Sequence, residues 1–256
     1  MLPVYRLYGG VAVSTASTRL YRRLKKDIIT GVLLPSRSFS EAEFANRYRV
    51  SRTPVREACR LLQNEGLITI IPFRGYFVAS LTGLDFHNLQ ELQFVVDPAA
   101  AALAAQRATV EQVRKMESYA RYEYKVGTKA SYYEFLQRNF NLHVGIAQAT
   151  GNRELTAVVA NVHTRLMRYF YPGLFLDGYG PDLVAEHCRI VEEIRKRNPQ
   201  KARQLAEKHV TNTMDRSAGL FFSVAQARLV EQGQNSSVFT APAFQSTVEW
   251  EGPGGD

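Results

Sequence analysis

Ser51-Arg52-Thr53-Pro54-Val55-Arg56-Glu57-Ala58-Cys59-Arg60-Leu61-Leu62-Gln63-Asn64-Glu65-Gly66 decides the fold of the first third of the chain. Val55, Ala58, Cys59 and Leu62 recur at helical spacing and make one apolar stripe. Arg52 and Arg56 lie four apart on a face away from that stripe, and Arg60 extends it. Pro54 falls in the first turn, where backbone N–H groups have no intrahelical partner to lose. Gly66 closes the helix as a C′ glycine does. Cys59 sits in the stripe and is expected to behave as a small hydrophobe.

The flanks extend this helix into a small module. Upstream, Thr18 precedes an amphipathic stretch with Leu20, Leu24 and Ile28, which Gly31 ends. Ser40 and Glu43 then form an S-x-x-E capping box, with Phe39 and Phe44 placed as a hydrophobic staple. That second helix is short and reaches about Tyr48, and Arg49-Val50 makes the turn into the third. Downstream, residues 67–71 and 76–79 read as two strands around Pro72-Phe73-Arg74-Gly75, a hairpin with a basic tip. Three helices and a hairpin make a winged helix-turn-helix, whose third helix enters the major groove by its N-terminal residues. Ser51, Arg52, Thr53 and Arg56 are the candidate base and phosphate contacts. Arg74 and Gly75 are the candidate wing contacts.

Charge supports this placement. Residues 1–80 hold 13 Lys and Arg against 5 Asp and Glu, whereas residues 81–256 hold 19 of each. The whole net charge of +8 therefore lies in the first third. Such asymmetry is either a solvated basic face or a surface that meets a polyanion. The 45% hydrophobic content excludes wholesale disorder, and no apolar run approaches membrane-spanning length, so no membrane partner is expected. No basic segment followed by an apolar core opens the chain, so a secretory leader is not expected. Two cysteines, Cys59 and Cys188, make no disulfide framework and fit a reducing cytoplasm.

After Leu81 the pattern is persistently helical, and no strand is expected beyond Ala79. Leu89, Leu92, Val96, Ala99, Ala100 and Leu103 form a stripe that Pro98 interrupts. Thr109/Gln112 and Ser131/Glu134 read as capping boxes, the first helix reaching about Val126 and the second about Thr150. A further helix follows over 152–170, then a loop over 171–180. Pro181 opens the next helix, and Asn198-Pro199 the last, which reaches about Val224. The expected fold is mostly α: a winged helix-turn-helix over 18–80, then an all-helical bundle over 85–224. A flexible arm over 1–17, a linker over 81–84 and a tail over 225–256 complete the expected organisation.

His143, His187 and His209 fall on three separate helices, and Asn139 precedes His143 by one turn. Three imidazoles and one oxygen could hold a divalent cation inside a bundle, although spacings of 44 and 22 form no local metal motif. His163, amid Val159, Val162 and Leu166, reads as a core or pocket-wall residue.

The residues Ser51 to Ala58, followed by Leu61-Leu62 and Glu65-Gly66-Leu67, resemble the recognition-helix signature of the GntR superfamily of bacterial transcription regulators. Pro72-Phe73-Arg74-Gly75-Tyr76-Phe77-Val78 is similar to that family's wing. Ser36 stands where the family usually has glycine, and Cys59 where it usually has leucine. In the second module, Asn139 and His143, then Ala149-Thr150-Gly151-Asn152, resemble the D-x-x-x-H…GN signature of the FCD effector domain of FadR-like members. Glu186-His187 and His209 match the remaining positions. The resemblance implies a divalent metal, zinc or nickel, at Asn139, His143, His187 and His209, with a small carboxylate effector completing the coordination.

Two positions depart from that pattern. Asn139 replaces the aspartate, so the site loses a negative charge and sits more positive, which favours an anionic effector. Gln93 and Asp97 stand where the family has Arg-x-x-x-Glu, and Arg165 or Arg168 is the candidate replacement for the effector-contacting arginine. The expected function is a cytoplasmic, homodimeric regulator, a repressor, that reads palindromic operator DNA and senses a small organic acid. A metal-free pocket in which the histidines hydrogen-bond the carboxylate is the alternative. A metal-dependent hydrolase with Glu186 as base is the rival from another class.

Overall fold

The structure, a computed structural model, describes residues 15–122, 128–171 and 179–231. It opens with α1 (Thr15–Ile29), the two-residue strand β1 (Ser38–Phe39), α2 (Glu41–Tyr48) and α3 (Arg52–Asn64). Strands β2 (Ile68–Ile71) and β3 (Gly75–Val78) follow. The helical remainder comprises α4 (Gly83–Arg107), α5 (Val110–Ala120), α6 (Lys129–Ala149), α7 (Arg153–Phe170), α8 (Tyr179–Arg195) and α9 (Pro199–Glu231). Residues 1–221 form one compact unit and residues 222–256 a second, of which only the end of α9 is described.

Local chemistry explains the helix-turn-helix. Ser40 Oγ accepts the Glu43 N–H at 3.1 Å and caps α2. The rings of Phe39 and Phe44 stack at 3.6 Å, so the staple is made. Arg49 ends α2 in the left-handed region at φ 55°, which turns the chain sharply into α3. Val55, Ala58, Cys59 and Leu62 are fully buried against α1, whose Leu20, Leu24 and Ile28 supply the other side of the core. Strand β3 lies between β1 and β2 and pairs antiparallel with both, Phe39 opposite Tyr76 and Ile71 opposite Gly75. Strand β1 leaves no signature in the sequence because two residues carry no period. Ser36 holds φ 62°, a conformation glycine adopts without strain, which is why a glycine suits that position.

The helical bundle differs from expectation in its boundaries. Helix α1 starts at Thr15 and α4 at Gly83 after the Thr82 cap, so both begin earlier than expected. Helix α6 starts at Lys129, not at a Ser131/Glu134 capping box: Ser131 already lies inside it. Helix α8 starts at Tyr179, and α9 runs past Val224 to Glu231. The Thr109/Gln112 capping box on α5 is present in both directions. Helix α5 stops at Ala120, and the last part of its expected extension, 123–126, lies outside the described residues. So do most of the expected arm, 1–14, of the loop, 172–178, and of the tail, 232–256. Among the described residues no strand follows β3. Leu92 of the expected α4 stripe is 41% exposed, while Leu89, Val96 and Ala100 are buried.

Candidate functional site

Ser51, Arg52, Thr53 and Arg56 project from the first turns of α3 as exposed side chains, and Ser51 is the N-cap without using its hydroxyl for capping. The first backbone N–H groups of α3 therefore stand beside three polar side chains, the arrangement that meets a phosphate. Arg56 is not free to fork onto a base unassisted. Its Nε and Nη2 each donate to Glu41 at 2.8 Å, and Tyr76 OH donates to the same carboxylate at 2.6 Å. The Arg56 hydrogen bond holds the Glu41 carboxyl below its ordinary range against its partial burial. Arg74 is exposed at the wing, its guanidinium 5.9 Å from the Phe77 ring centre. Gly75 has a structural reason to be glycine: its φ is +94°, and a Cβ there would lie 3.1 Å from the Phe39 carbonyl oxygen.

In the bundle, α6, α8 and α9 bring His143, His187 and His209 together, each at most 5% exposed. Ligand nitrogens of the three lie within 4.8 Å of one another. His187 Nε2 and His209 Nε2 face each other at 3.3 Å. Two nitrogens on a tetrahedral zinc at ~2.05 Å would lie about 3.3–3.4 Å apart. The donor set therefore fits a divalent ion in both chemistry and spacing. His209 Nδ1 is held by Glu186 at 2.8 Å, and Glu186 also accepts from Asn212 and Arg216. Burial raises the Glu186 carboxyl, but those partners outweigh it and bring it down to about 2. Glu186 is thus engaged with His209, Asn212 and Arg216, as a brace for His209.

The structure adds two residues to the cluster. Asp97 of α4, buried, lies 3.1 Å from His143 Nδ1 and 2.9 Å from His163 Nε2. Gln93 Nε2 donates to the same carboxylate at 3.1 Å. His143 and His163 stack at 4.0 Å. Burial opposes the Asp97 charge, yet the two imidazoles hold its carboxyl well below the ordinary range. Burial and the neighbouring imidazoles likewise push His187 well below the usual histidine range, so it stays neutral with a lone pair to offer. Two narrow cavities meet here, each with room for roughly one water-sized sphere. One is lined by Asp97, His143, His187 and His209, the other by Gln93, Asn139, His143 and His209.

Asn139, half-buried on α6, thus borders the cluster through the second cavity. Arg165 and Arg168 do not join it, contrary to expectation. Arg168 Nη2 donates to the Ala79 carbonyl, and the Arg165 side chain packs over Gly66. Both belong to the face of α7 that meets the first module, because they lie two and five residues beyond His163 and so off its face. Asp97 carries a legible signal: an acidic residue on an otherwise apolar stripe must be answered by partners. Which partners answer it depends on helices 46 and 66 residues away, at His143 and His163.

Comparison with known proteins follows this division. Residues 16–78 match the bacterial regulatory proteins of the gntR family, and residues 88–212 match the FCD domain. The chain is 28% identical over 194 residues to the uncharacterized HTH-type transcriptional regulator YdhC of Bacillus subtilis (strain 168), covering 73% of this chain and 84% of that one. It is 26% identical to the HTH-type transcriptional repressor RspR of Escherichia coli (strain K12), covering 75% and 84%. A GntR transcriptional regulator from Rhodococcus sp. RHA1 shares the fold, with a TM-score of 0.63 at 20% identity over 80% of this chain and 99% of that one.

Proposed function

The chain belongs to the gntR family of bacterial regulatory proteins, with an FCD domain after its helix-turn-helix, and on that premise we propose that it is a metabolite-controlled repressor. It acts in the cytoplasm as a homodimer on a palindromic operator, because one winged helix reads only a short half-site. Its effector is a small organic acid, received at a divalent ion, zinc or nickel, on His143, His187 and His209. One observation carries this reading: three buried histidines converge, and two of them are turned inward by carboxylates on their Nδ1 atoms. An ion bound there would offer an open Lewis-acid position to a carboxylate. No described helix is long and apolar enough to cross a membrane.

The route from site to DNA runs through α6 and α7. His143 on α6 is preceded by Phe140, whose ring lies 5.4 Å from Lys25 Nζ of α1. His163 on α7 is followed by Thr164, whose hydroxyl accepts from Lys25 at 3.3 Å. Lys25 pairs with Glu65, the C-cap of the recognition helix, at 2.9 Å. An effector that moves α6 or α7 therefore alters the contacts of Lys25 and the seating of α3. By linkage, it then favours one DNA affinity over the other.

Native mass spectrometry of the tag-free full chain, without chelators, tests the ligand half. A dimer with one metal per subunit that His143→Ala loses supports it. A dimer that takes up neither zinc nor nickel moves the search to a hydrogen-bonding pocket. Selection from a random-sequence DNA library tests the other half, with enrichment of a palindrome expected.

A further inference from the structure

The metal reading leaves a charge problem. With Asn139 in place of the family's aspartate, every residue that reading assigns to the ion is neutral, while the ion brings two positive charges into a buried site. An uncompensated buried charge is costly, and its neighbours must answer it. Glu186 cannot do so alone, since Arg216 already pairs with it at 2.9 Å.

Asp97 is placed to answer. Its Oδ2 lies 3.1 Å from His143 Nδ1, so a neutral His143 donates from Nδ1 and keeps its lone pair on Nε2. His163 and Gln93 donate to the same carboxylate at 2.9 and 3.1 Å. An ionised carboxylate accepts from all three when each imidazole presents its N–H to it. The same Asp97 lines the cavity that His143, His187 and His209 share.

We propose that Asp97 is the positioning residue of this site: acting through His143 Nδ1, it supplies from α4 a negative charge behind three neutral imidazoles. His163 and Gln93 hold Asp97 in that place. The inference rests on the metal reading above and goes one step past it, to a carboxylate on α4 that reaches the site only through His143.

The test measures zinc affinity of the full-length protein by competition with a chromophoric chelator. Asp97→Asn should bind zinc about 10–100-fold more weakly than the parent, the usual effect of removing a carboxylate behind a ligating histidine. Adding Asn139→Asp to Asp97→Asn should recover most of that loss, because it returns a carboxylate to the site from α6. A packing defect at position 97 would not be recovered in this way. Asp97→Asn that binds as tightly as the parent, with His143→Ala binding none, overturns the proposal and leaves the metal reading standing. A parent that binds no zinc overturns both. Nitrogen-15 NMR of the zinc-loaded parent needs no variant and covers a misfolded Asp97→Asn: His143 should be protonated at Nδ1 and bound at Nε2, and binding through Nδ1 overturns the proposal.

Discussion

Lys25 and Asp97 are both buried charges fixed by neighbours from other helices, and their clusters end differently. Around Lys25, Glu65 gives the counter-charge at 2.9 Å, Tyr21 OH donates to Glu65 at 2.6 Å, and Thr164 accepts from Lys25. Each charge there has its answer within the protein. Around Asp97 the carboxylate is answered, and beyond it His187 and His209 have only each other, Nε2 to Nε2 at 3.3 Å with one proton at most between them. A cluster that satisfies itself holds a structure together. Two imidazole nitrogens that face one another hold the spacing an ion would take under the function proposed above.

The largest effect should come from breaking the self-satisfied cluster. Glu65→Ala leaves Lys25 buried without its counter-charge and should cost about 3–5 kcal/mol, read by denaturant unfolding of the full chain. Replacing the pair together, Lys25→Met with Glu65→Leu, should restore most of that stability, because an apolar pair of similar volume needs no answering charge. If Glu65→Ala unfolds at the parent's midpoint, the Lys25 cluster is not what seats α3.

The histidine cluster should respond to zinc as well. His187→Ala leaves a cavity and removes the partner of His209 Nε2, so the metal-free protein should lose about 1–3 kcal/mol. The stabilisation by added zinc should vanish, a loss of ~2.7 kcal/mol where zinc exceeds its Kd about 100-fold. Thermal unfolding of parent and variant, with and without zinc, reads both. Equal zinc stabilisation in the two proteins would make the histidine cluster as self-contained as the lysine one.

This contrast also marks what the sequence makes legible. The helix-turn-helix is written locally: Ser40 with Glu43, Phe39 with Phe44 and the stripe from Val55 to Leu62 all act within one turn or one helix. The three histidine-bearing helices are likewise legible from periodicity. The hidden parts are pairings across the bundle. Nothing near Asp97 in the chain says that it meets His143 and His163, and nothing near Arg168 says that it spans to Ala79. Strand β1 is hidden for a different reason, since its pairing with β3 exists only once the hairpin has folded.

At the DNA face the same question is whether a side chain is already answered. Arg52 and Arg56 share a face, but Arg56 is forked onto Glu41 while Arg52 makes no hydrogen bond among the described residues. Arg52→Ala should therefore weaken specific binding by about 1–3 kcal/mol and relax preference at one base pair. Arg56→Ala should cost less in specificity and should flatten the salt dependence of affinity, because one edge of its guanidinium remains for a phosphate. Titrations of the selected DNA at several salt concentrations distinguish the two, and equal loss of base preference in both would show that Glu41 releases Arg56 on binding.

The smallest effect separates structure from binding at a single glycine. Gly31 and Gly75 both hold positive φ, +72° and +94°, but only Gly75 has a neighbour in the way, the Phe39 carbonyl at 3.1 Å from where a Cβ would sit. Gly31→Ala should cost about 1 kcal/mol, the backbone penalty alone. Gly75→Ala should cost about 1 kcal/mol more, because β3 must move off β1 to make room. Denaturant unfolding measures the difference. DNA affinity measured on the folded Gly75→Ala protein then shows whether the wing backbone itself touches DNA: unchanged affinity assigns Gly75 to the β1–β3 contact, and a loss beyond the change in stability assigns it to both.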